Sequence, residues 1–595
     1  MQAITLAGLK ATYAKGTRVS DVMAEVLRRI DSYKDPAVWI SRASSEAVMA
    51  RSAALDADPS ARALSLFGVP FAVKDNIDCA GFPTTAGCPS FAYAPSENAT
   101  VVEKLLAAGA ILLGKTNLDQ FATGLVGTRS PYGAPRSVYD TRYISGGSSS
   151  GSAVAVAAGL AAFALGTDTA GSGRVPAAFN NIVGLKPTRG RLSARGVVPA
   201  CRSLDCVSIF ANTVGDAAII AAVAEGFDAA DPFSRPMPAV LAPPDAFRFG
   251  VLPVASRDFL GDVGCAALYD AAIARLVSCG GTPVEFDYAP FRDAAELLYD
   301  GAWVAERTAA VGDFLDAHES GLDPVVKAIV ASGRRFSAVD AFTGSYRLAE
   351  CRNRADAEWE KMDLMLLPTA AVHYTLDEIT ADPIRRNSHL GRFTNWVNLL
   401  DASAIAVPAG FRDNGLPFGI TLLAPAGGEV GLTNLAQRFH AASATGAGLS
   451  RTPVTVEPLS LLDKGVDLFV VGAHLSDMPL NKELRDLKAR FVTAAQTAPD
   501  YELYALANTT PPKPGMVRAP SADAASIAGE VWRLTPEAFG RFVAKIPTPL
   551  GIGKIHLSDG SEVSGFLCEP IALQGARNIT SFGGWRAFIA SMTSI

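Results

Sequence analysis

The sequence has no uninterrupted apolar run of about 18 residues or more, the length a helix needs to cross a bilayer, so no membrane span is expected. Its opening, MQAITLAGLKATYAKG, lacks a charged start followed by an apolar core and a cleavage site, so no signal peptide is expected. The eight cysteines (Cys79, Cys88, Cys201, Cys206, Cys265, Cys279, Cys351 and Cys568) form no paired CxxC motif. That spacing gives no zinc site and fits free thiols in a reducing cytoplasm, so no metal is expected. Charge is sparse, at 19% of residues, and the net charge is only −6. This balance argues against a nucleic-acid partner and says nothing about the charge of a substrate. No internal repeat is found. Histidine is scarce as well, with six in the chain.

What is present is a long chain of 595 residues, 49% of them hydrophobic. That length exceeds one ordinary domain, and the composition is that of a globular enzyme. Residues 145–191 dominate it: SGGSSSGSAVAVAAGLAAFALGTDTAGSGRVPAAFNNIVGLKPTRGR. Two Gly/Ser-dense loops flank an apolar run from Ala153 to Gly166. Glycine leaves backbone amides uncovered, and several amides around one serine can bind a developing oxyanion. The second loop places Ser172 among Gly171, Gly173 and the amides of Thr169 and Ala170, the expected position of a nucleophile. A serine nucleophile needs a base, usually histidine. None of the six histidines lies near the loops in sequence. A histidine brought in by the fold stays open, but a lysine with a lowered pKa is the sharper candidate. Lys74, at the end of the strand-like run FGVPFAVKDN, suits that role. Around it the quieter readings hold. Ser145, Ser149, Ser150 and Ser152 read as turn and cap residues, and Asp168 with Arg174 as a pair steadying the loop. Lys186 and Arg189 read as parts of a fixed turn.

These motifs resemble the amidase signature family, whose pattern runs roughly GGSSGGSAxAVAAG…GxDTGGSIRxPAAFxGxxGLKPT. The resemblance implies a Lys–Ser–Ser triad of Lys74, Ser148 and Ser172, with a cis peptide at Ser148. It implies an oxyanion hole from the backbone of Thr169, Ala170, Gly171 and Ser172, and a pocket lined by the backbone of Gly124. It also implies an α/β domain whose mixed central sheet lies between helices. Three positions depart from the pattern: Ser150 and Ala170 replace glycines, and Gly173 replaces an isoleucine.

Along the chain, residues 1 to about 60 read as helices, Val19–Ile30 being amphipathic. FGVPFAVKD, AILLGKT, FRFGVLPV, TPVEFD, DLMLLPTA, SAIAVPAG and FGITLLA read as strands. Between them come helices at Thr100–Ala108, Cys265–Ser278 and Leu432–Ala442, an α/β alternation. AAELLYDGAWVAERTAAVGDFL reads as one helix with Tyr299, Trp303 and Arg307 on one face. On pattern alone it is a packed aromatic stripe ended by an Arg–Glu pair, with Glu306 or Glu296. Arginine's planar fork equally suits a carboxylate.

LYDGAWVAER, DTAGSGRVPA and the C-terminal part are similar to the allophanate hydrolase family. That likeness gives Tyr299 and Arg307 the role of holding allophanate, a small anion with a terminal amide. It divides the chain into an amidase domain at 1–460 and a smaller α+β domain at 467–595. The latter reads as strands LFVVGAHL, YELYALA, GEVWRL and KIHLSDGSEVSGFL, with a helix at Leu534–Ile546. Its VVGAHLSDMPLN stretch resembles the glycine loop of γ-glutamyl-cyclotransferase-like folds. His474 matches the histidine of the family's GAHLSGxPLN motif, and Asp477 stands where that motif has glycine.

The implied activity is a cytoplasmic, cofactor-free hydrolase that releases ammonia from allophanate. Its C-terminal domain would promote loss of CO2 from N-carboxycarbamate, or serve assembly only. The family is typically dimeric. No biotin-type segment is found, so a separate urea carboxylase would supply the substrate. Three rivals stand beside this: an amidase for another small amide such as malonamate, a subunit of a tRNA-dependent amidotransferase, and a binding protein with a dead site.

Overall fold

A computed structural model of the chain describes residues 3–237, 241, 246–318, 321–455, 465–519 and 521–593. These fall into two compact units divided near residue 461. Most of the expected junction between 460 and 467 lies outside the described residues, which omit 456–464.

The first unit is built on an eleven-stranded sheet. Its strands are β1 (Trp39–Arg42), β2 (Pro70–Lys74), β3 (Ile111–Thr116), β4 (Phe163–Asp168), β5 (Val183–Lys186), β6 (Cys206–Ala211), β7 (Phe247–Val251), β8 (Gly281–Glu285), β9 (Leu364–Pro368), β10 (Ser403–Phe411) and β11 (Pro417–Ala424). They lie in the order β1-β3-β2-β4-β6-β5-β10-β11-β9-β7-β8. β2 runs parallel to both β3 and β4, and β7 parallel to β8 and β9. The other pairs are antiparallel, so the sheet is mixed. Every residue of β2, β4, β6, β9 and β11 is buried. Strands covered on both faces lose the apolar–polar alternation of half-exposed ones and read as continuous apolar runs. The N-terminal sixty residues are not all helix: β1 interrupts them and pairs antiparallel with β3 at the sheet edge. Four residues are too short for a period-2 signal to emerge.

The apolar run after the first Gly/Ser loop splits in two. Ser150–Ala157 is a helix of small residues packed on β2, β3 and β4. Gly159, at φ +68, lets the chain reverse, and β4 follows. Helix and strand are antiparallel: Ser152 Oγ donates to Leu165 O at 2.9 Å, and Ser149 Oγ to Thr167 O at 3.2 Å. This reversal returns the loop after β4 to the loop before the helix, so the two Gly/Ser stretches meet at the carboxyl end of β4.

The second unit has its own core, including Leu468, Phe469, Leu503, Val531, Trp532, Phe542 and Ile555. Strands β12 (Val466–Val470), β13 (Arg490–Gln496), β14 (Tyr501–Ala505), β15 (Pro514–Arg518), β16 (Ala528–Leu534), β17 (Leu550–His556), β18 (Glu562–Cys568) and β19 (Arg577–Asn578) form it. They make a five-stranded sheet, β13-β16-β12-β18-β17, and a three-stranded one, β15-β14-β19. With the helix Pro536–Val543 this is the expected α+β unit.

Candidate active site

Lys74 is the last residue of β2, and Thr167 is the penultimate residue of the neighbouring parallel β4. Parallel strands end side by side, and ligands are bound beyond such carboxyl ends. Lys74 Nζ lies 2.8 Å from Ser148 Oγ and 2.6 Å from Thr167 Oγ1, fully buried. Burial pulls its pKa down to about 7, against the opposing pull of the Asp119, Asp205 and Asp168 carboxylates. Such an amine is available as a base at neutral pH. The Gly147–Ser148 peptide is cis.

Ser172 sits in the loop after β4, 3% exposed. Its Oγ is 3.5 Å from the carbonyl of Gly124 and makes no hydrogen bond to Ser148. Lys74 and Ser148 are therefore in contact, while the last link of the expected relay is not formed. All six histidines are engaged elsewhere: His318, His373 and His440 with backbone carbonyls, His389 with Tyr374, His474 with Glu483 and His556 with Glu562. None hydrogen-bonds to Ser148 or Ser172, so the histidine alternative falls away.

Asp168 shapes the loop. Its carboxylate accepts the amides of Gly171 at 2.9 Å and Gly173 at 3.0 Å, and Nε and Nη2 of Arg174 at 2.8 and 2.9 Å. Burial alone would raise its pKa, but the guanidinium of Arg174 outweighs this and holds it below the usual carboxylate value. Of the four amides expected to face an oxyanion, that of Gly171 is thus taken. Those of Thr169, Ala170 and Ser172 have no acceptor among the described residues. Asp168→Asn strips the charge that balances buried Arg174. It is expected to cost about 3 kcal/mol or more of stability, read by urea unfolding.

The stretch 289–317 is not one helix. Helices span Ala289–Glu296 and Val304–Ala317, and residues 297–303 turn between them around Gly301. Glycine is a poor helix former, and a Cβ at Gly301 would lie 2.5 Å from the Leu297 carbonyl. Tyr299 and Arg307 still meet: Nη2 is 3.3 Å from the Tyr299 hydroxyl, and the guanidinium carbon is 5.3 Å from the ring centre. The expected Arg–Glu pair is absent, because Glu306 holds the amide and hydroxyl of Ser203 instead. Arg307 is 1% exposed, its Nε has no partner, and no carboxylate lies within ion-pair distance among the described residues. Its Nη1 donates to Thr123 Oγ1 at 2.8 Å. Thr123 precedes Gly124, so adjacent residues touch the unpaired guanidinium and the Ser172 hydroxyl. Tyr299 and Trp303 also pack against the small apolar cluster that contains Ala170 of the loop.

Sequence reasoning missed Thr167, Thr123, Asp119 and Asn398. Thr167 stands one residue before the motif's Asp168, at a strand end next to the lysine strand, which is a usable signal. Asp119 is buried and accepts the amides of Val126, Gly127 and Arg129. Asn398, from a distant segment, donates to the carbonyls of Asp168 and Thr169. Nothing local marks either one.

In the second unit His474 follows β12. Its Nε2 is 3.1 Å from Glu483 Oε2, between the rings of Phe542 and Phe566. Burial lowers its pKa, and Glu483 offsets this in part. It lines a cavity of about 200 Å³ with Glu483, Lys513 and Lys545. Asp477 has φ +62, the left-handed conformation for which the motif's glycine is suited and which aspartate tolerates better than most residues. Among the described residues no cluster of His, Cys, Asp and Glu could hold a metal, and no helix is long and apolar enough to cross a membrane.

The chain is similar to known proteins over both of its units. The family model Amidase matches residues 21–432, and the model Allophanate hydrolase C-terminal domain matches residues 466–590. Urea amidolyase of Saccharomyces cerevisiae is 42% identical over 569 residues, covering 92% of this chain and 31% of that protein. The chain thus spans about a third of the length of the urea amidolyases it matches. A glutamyl-tRNA(Gln) amidotransferase component from Synechococcus sp. is 34% identical over 452 residues, 70% of this chain and 90% of that one. The solved Kluyveromyces lactis allophanate hydrolase superposes with a TM-score of 0.83 at 40% identity, over 99% of both chains. The chain belongs to the amidase family, and an allophanate hydrolase C-terminal domain follows its amidase domain.

Proposed function

We propose that the chain hydrolyses allophanate to ammonia and N-carboxycarbamate in its amidase domain, and that its C-terminal domain speeds loss of CO2 from that product. The observation that carries the reading is Arg307, a buried cation with no carboxylate in ion-pair distance among the described residues, tied through Thr123 and Gly124 to Ser172. A substrate carboxylate would supply the missing charge and set its amide carbonyl at the serine. The near-full-length likeness to the K. lactis enzyme supports the same substrate.

In this mechanism neutral Lys74 takes the proton of Ser148 as Ser148 takes that of Ser172. Ser172 Oγ attacks the terminal amide carbonyl, and the free amides of the 169–172 loop hold the oxyanion. The proton returns through Ser148 to the leaving nitrogen, the C–N bond breaks and ammonia departs. Water, deprotonated along the same path, cleaves the acyl-enzyme and releases N-carboxycarbamate. In the second domain, loss of CO2 leaves an electron pair on nitrogen that must be protonated. His474, braced by Glu483, passes that proton, and Lys513 and Lys545 offset the charge of the dianion. A urea carboxylase supplies allophanate, and the enzyme acts as a cytoplasmic homodimer.

A substrate panel tests the reading. Ammonia release confined to allophanate is expected. Release from malonamate overturns the substrate, and release from glutamine favours the amidotransferase reading that the Synechococcus relative raises. His474→Ala is expected to leave ammonia release within about twofold of wild type while slowing CO2 evolution about tenfold or more. Parallel assays of ammonium and CO2 read the split.

A further inference from the structure

We infer that Asn398 is the positioning residue of the oxyanion hole. The inference rests on the reading of the 169–172 loop given above. Asn398 is wholly buried, and its Nδ2 donates to Asp168 O at 2.7 Å and to Thr169 O at 3.1 Å. Both partners are carbonyls, which only accept, so the side chain must present its NH2 group to them. The Cys206 thiol, 3.8 Å from Oδ1, is the hydrogen-bond partner of the other end of the amide.

Peptide geometry turns these two bonds into a direction. The 168–169 and 169–170 bonds are trans, and in a planar trans peptide the N–H points opposite to the C=O. Holding the Asp168 carbonyl therefore aims the N–H of Thr169 away from Asn398. Holding the Thr169 carbonyl does the same for the N–H of Ala170. These are two of the amides with no acceptor in the described protein, and both residues are 2% exposed. The Asp168 carboxylate takes the Gly171 amide that follows. The loop is thus divided: a carboxylate fixes its structural amides, and Asn398 fixes two of the three left free. Without Asn398 the two peptide planes can rock, and oxyanion stabilisation depends on donors fixed before the charge develops. Asn398 itself touches no reacting atom.

Asn398→Asp and Asn398→Ala in the full chain test this. Aspartate keeps the shape but presents only acceptors to the two carbonyls, and alanine removes the group. kcat for ammonia release from allophanate is expected to fall about 100-fold, with KM within threefold. Inhibition by methylboronic acid, which forms a tetrahedral adduct on a serine, is expected to weaken in step with kcat. Inhibition by malonate, a dicarboxylate of the substrate's size that forms no tetrahedral adduct on a serine, is expected to stay within threefold. Unchanged kcat, or equal losses for malonate and boronate, overturns the inference. Should neither variant fold, the wild-type boronate adduct decides. An adduct oxygen within hydrogen-bond distance of the Thr169 and Ala170 amides supports it, and one facing elsewhere overturns it. Ser172→Ala is the separate control: ammonia release that survives it removes the hydrolase reading itself.

Discussion

Replacing Lys74 with methionine is expected to lower kcat for ammonia release by about 10³-fold or more, with little change in KM. Methionine fills much of the same space and removes the amine. Ser148 and Thr167 then lose the nitrogen that links them. Their hydroxyls can turn to other acceptors, so the variant is expected to fold. The pH profile carries the sharper test. The amine acts as a base only when neutral, and burial brings its pKa to about 7. kcat/KM for the wild type is therefore expected to climb with pH up to about 7 and then level. Below that limb it should fall about tenfold per pH unit, as the protonated fraction grows. A residual rate in Lys74→Met that keeps the same limb would assign the titration to another group.

Arg307 should give the second large effect. Arg307→Met is expected to cut kcat/KM for allophanate by about 10²-fold or more, since the carboxylate loses a bidentate, charge-assisted partner in a dry site. Uncharged amides such as acetamide should change far less. Arg307→Lys should recover little, because a point charge does not reproduce the planar fork. The stability prediction has the opposite sign. Arg307 is held by one threonine and one tyrosine, with no carboxylate in ion-pair distance among the described residues, and its burial carries a desolvation cost that an apolar side chain does not. The methionine variant is expected to match or exceed the wild type in thermal stability while losing activity. A binding role predicts that opposition. A structural role predicts that both fall together, so thermal unfolding and allophanate kinetics on one preparation separate them.

How far the sequence foretold this depends on where each signal lies. The loops around Ser148 and Ser172 are contiguous, and Lys74 ends an apolar strand, so local chemistry marks all three. The buried strands β2, β9 and β11 are legible because full burial makes them unbroken apolar runs. β1 is not, being four residues at a sheet edge. The sequence pairs Tyr299 with Arg307 through one continuous helix, and the chain breaks that helix in two. Gly301 interrupts it, and tertiary packing, not helical spacing, brings the tyrosine to the guanidinium. Asn398 acts from more than 200 residues away, since 398 − 168 = 230. Its one signal is a polar residue in an apolar neighbourhood, which sequence alone gives no reason to single out. The Gly171 amide shows the same limit: the motif marks four amides but does not say that Asp168 claims one.

The most direct measurement is ammonia released from allophanate by the full chain and by Ser172→Ala, assayed side by side. Rapid release by the wild type, reduced at least about 10⁴-fold in the variant, is the expected result. Release that survives the loss of the Ser172 hydroxyl, or none from the intact chain, would contradict the assignment of Ser172 as the nucleophile of an allophanate hydrolase.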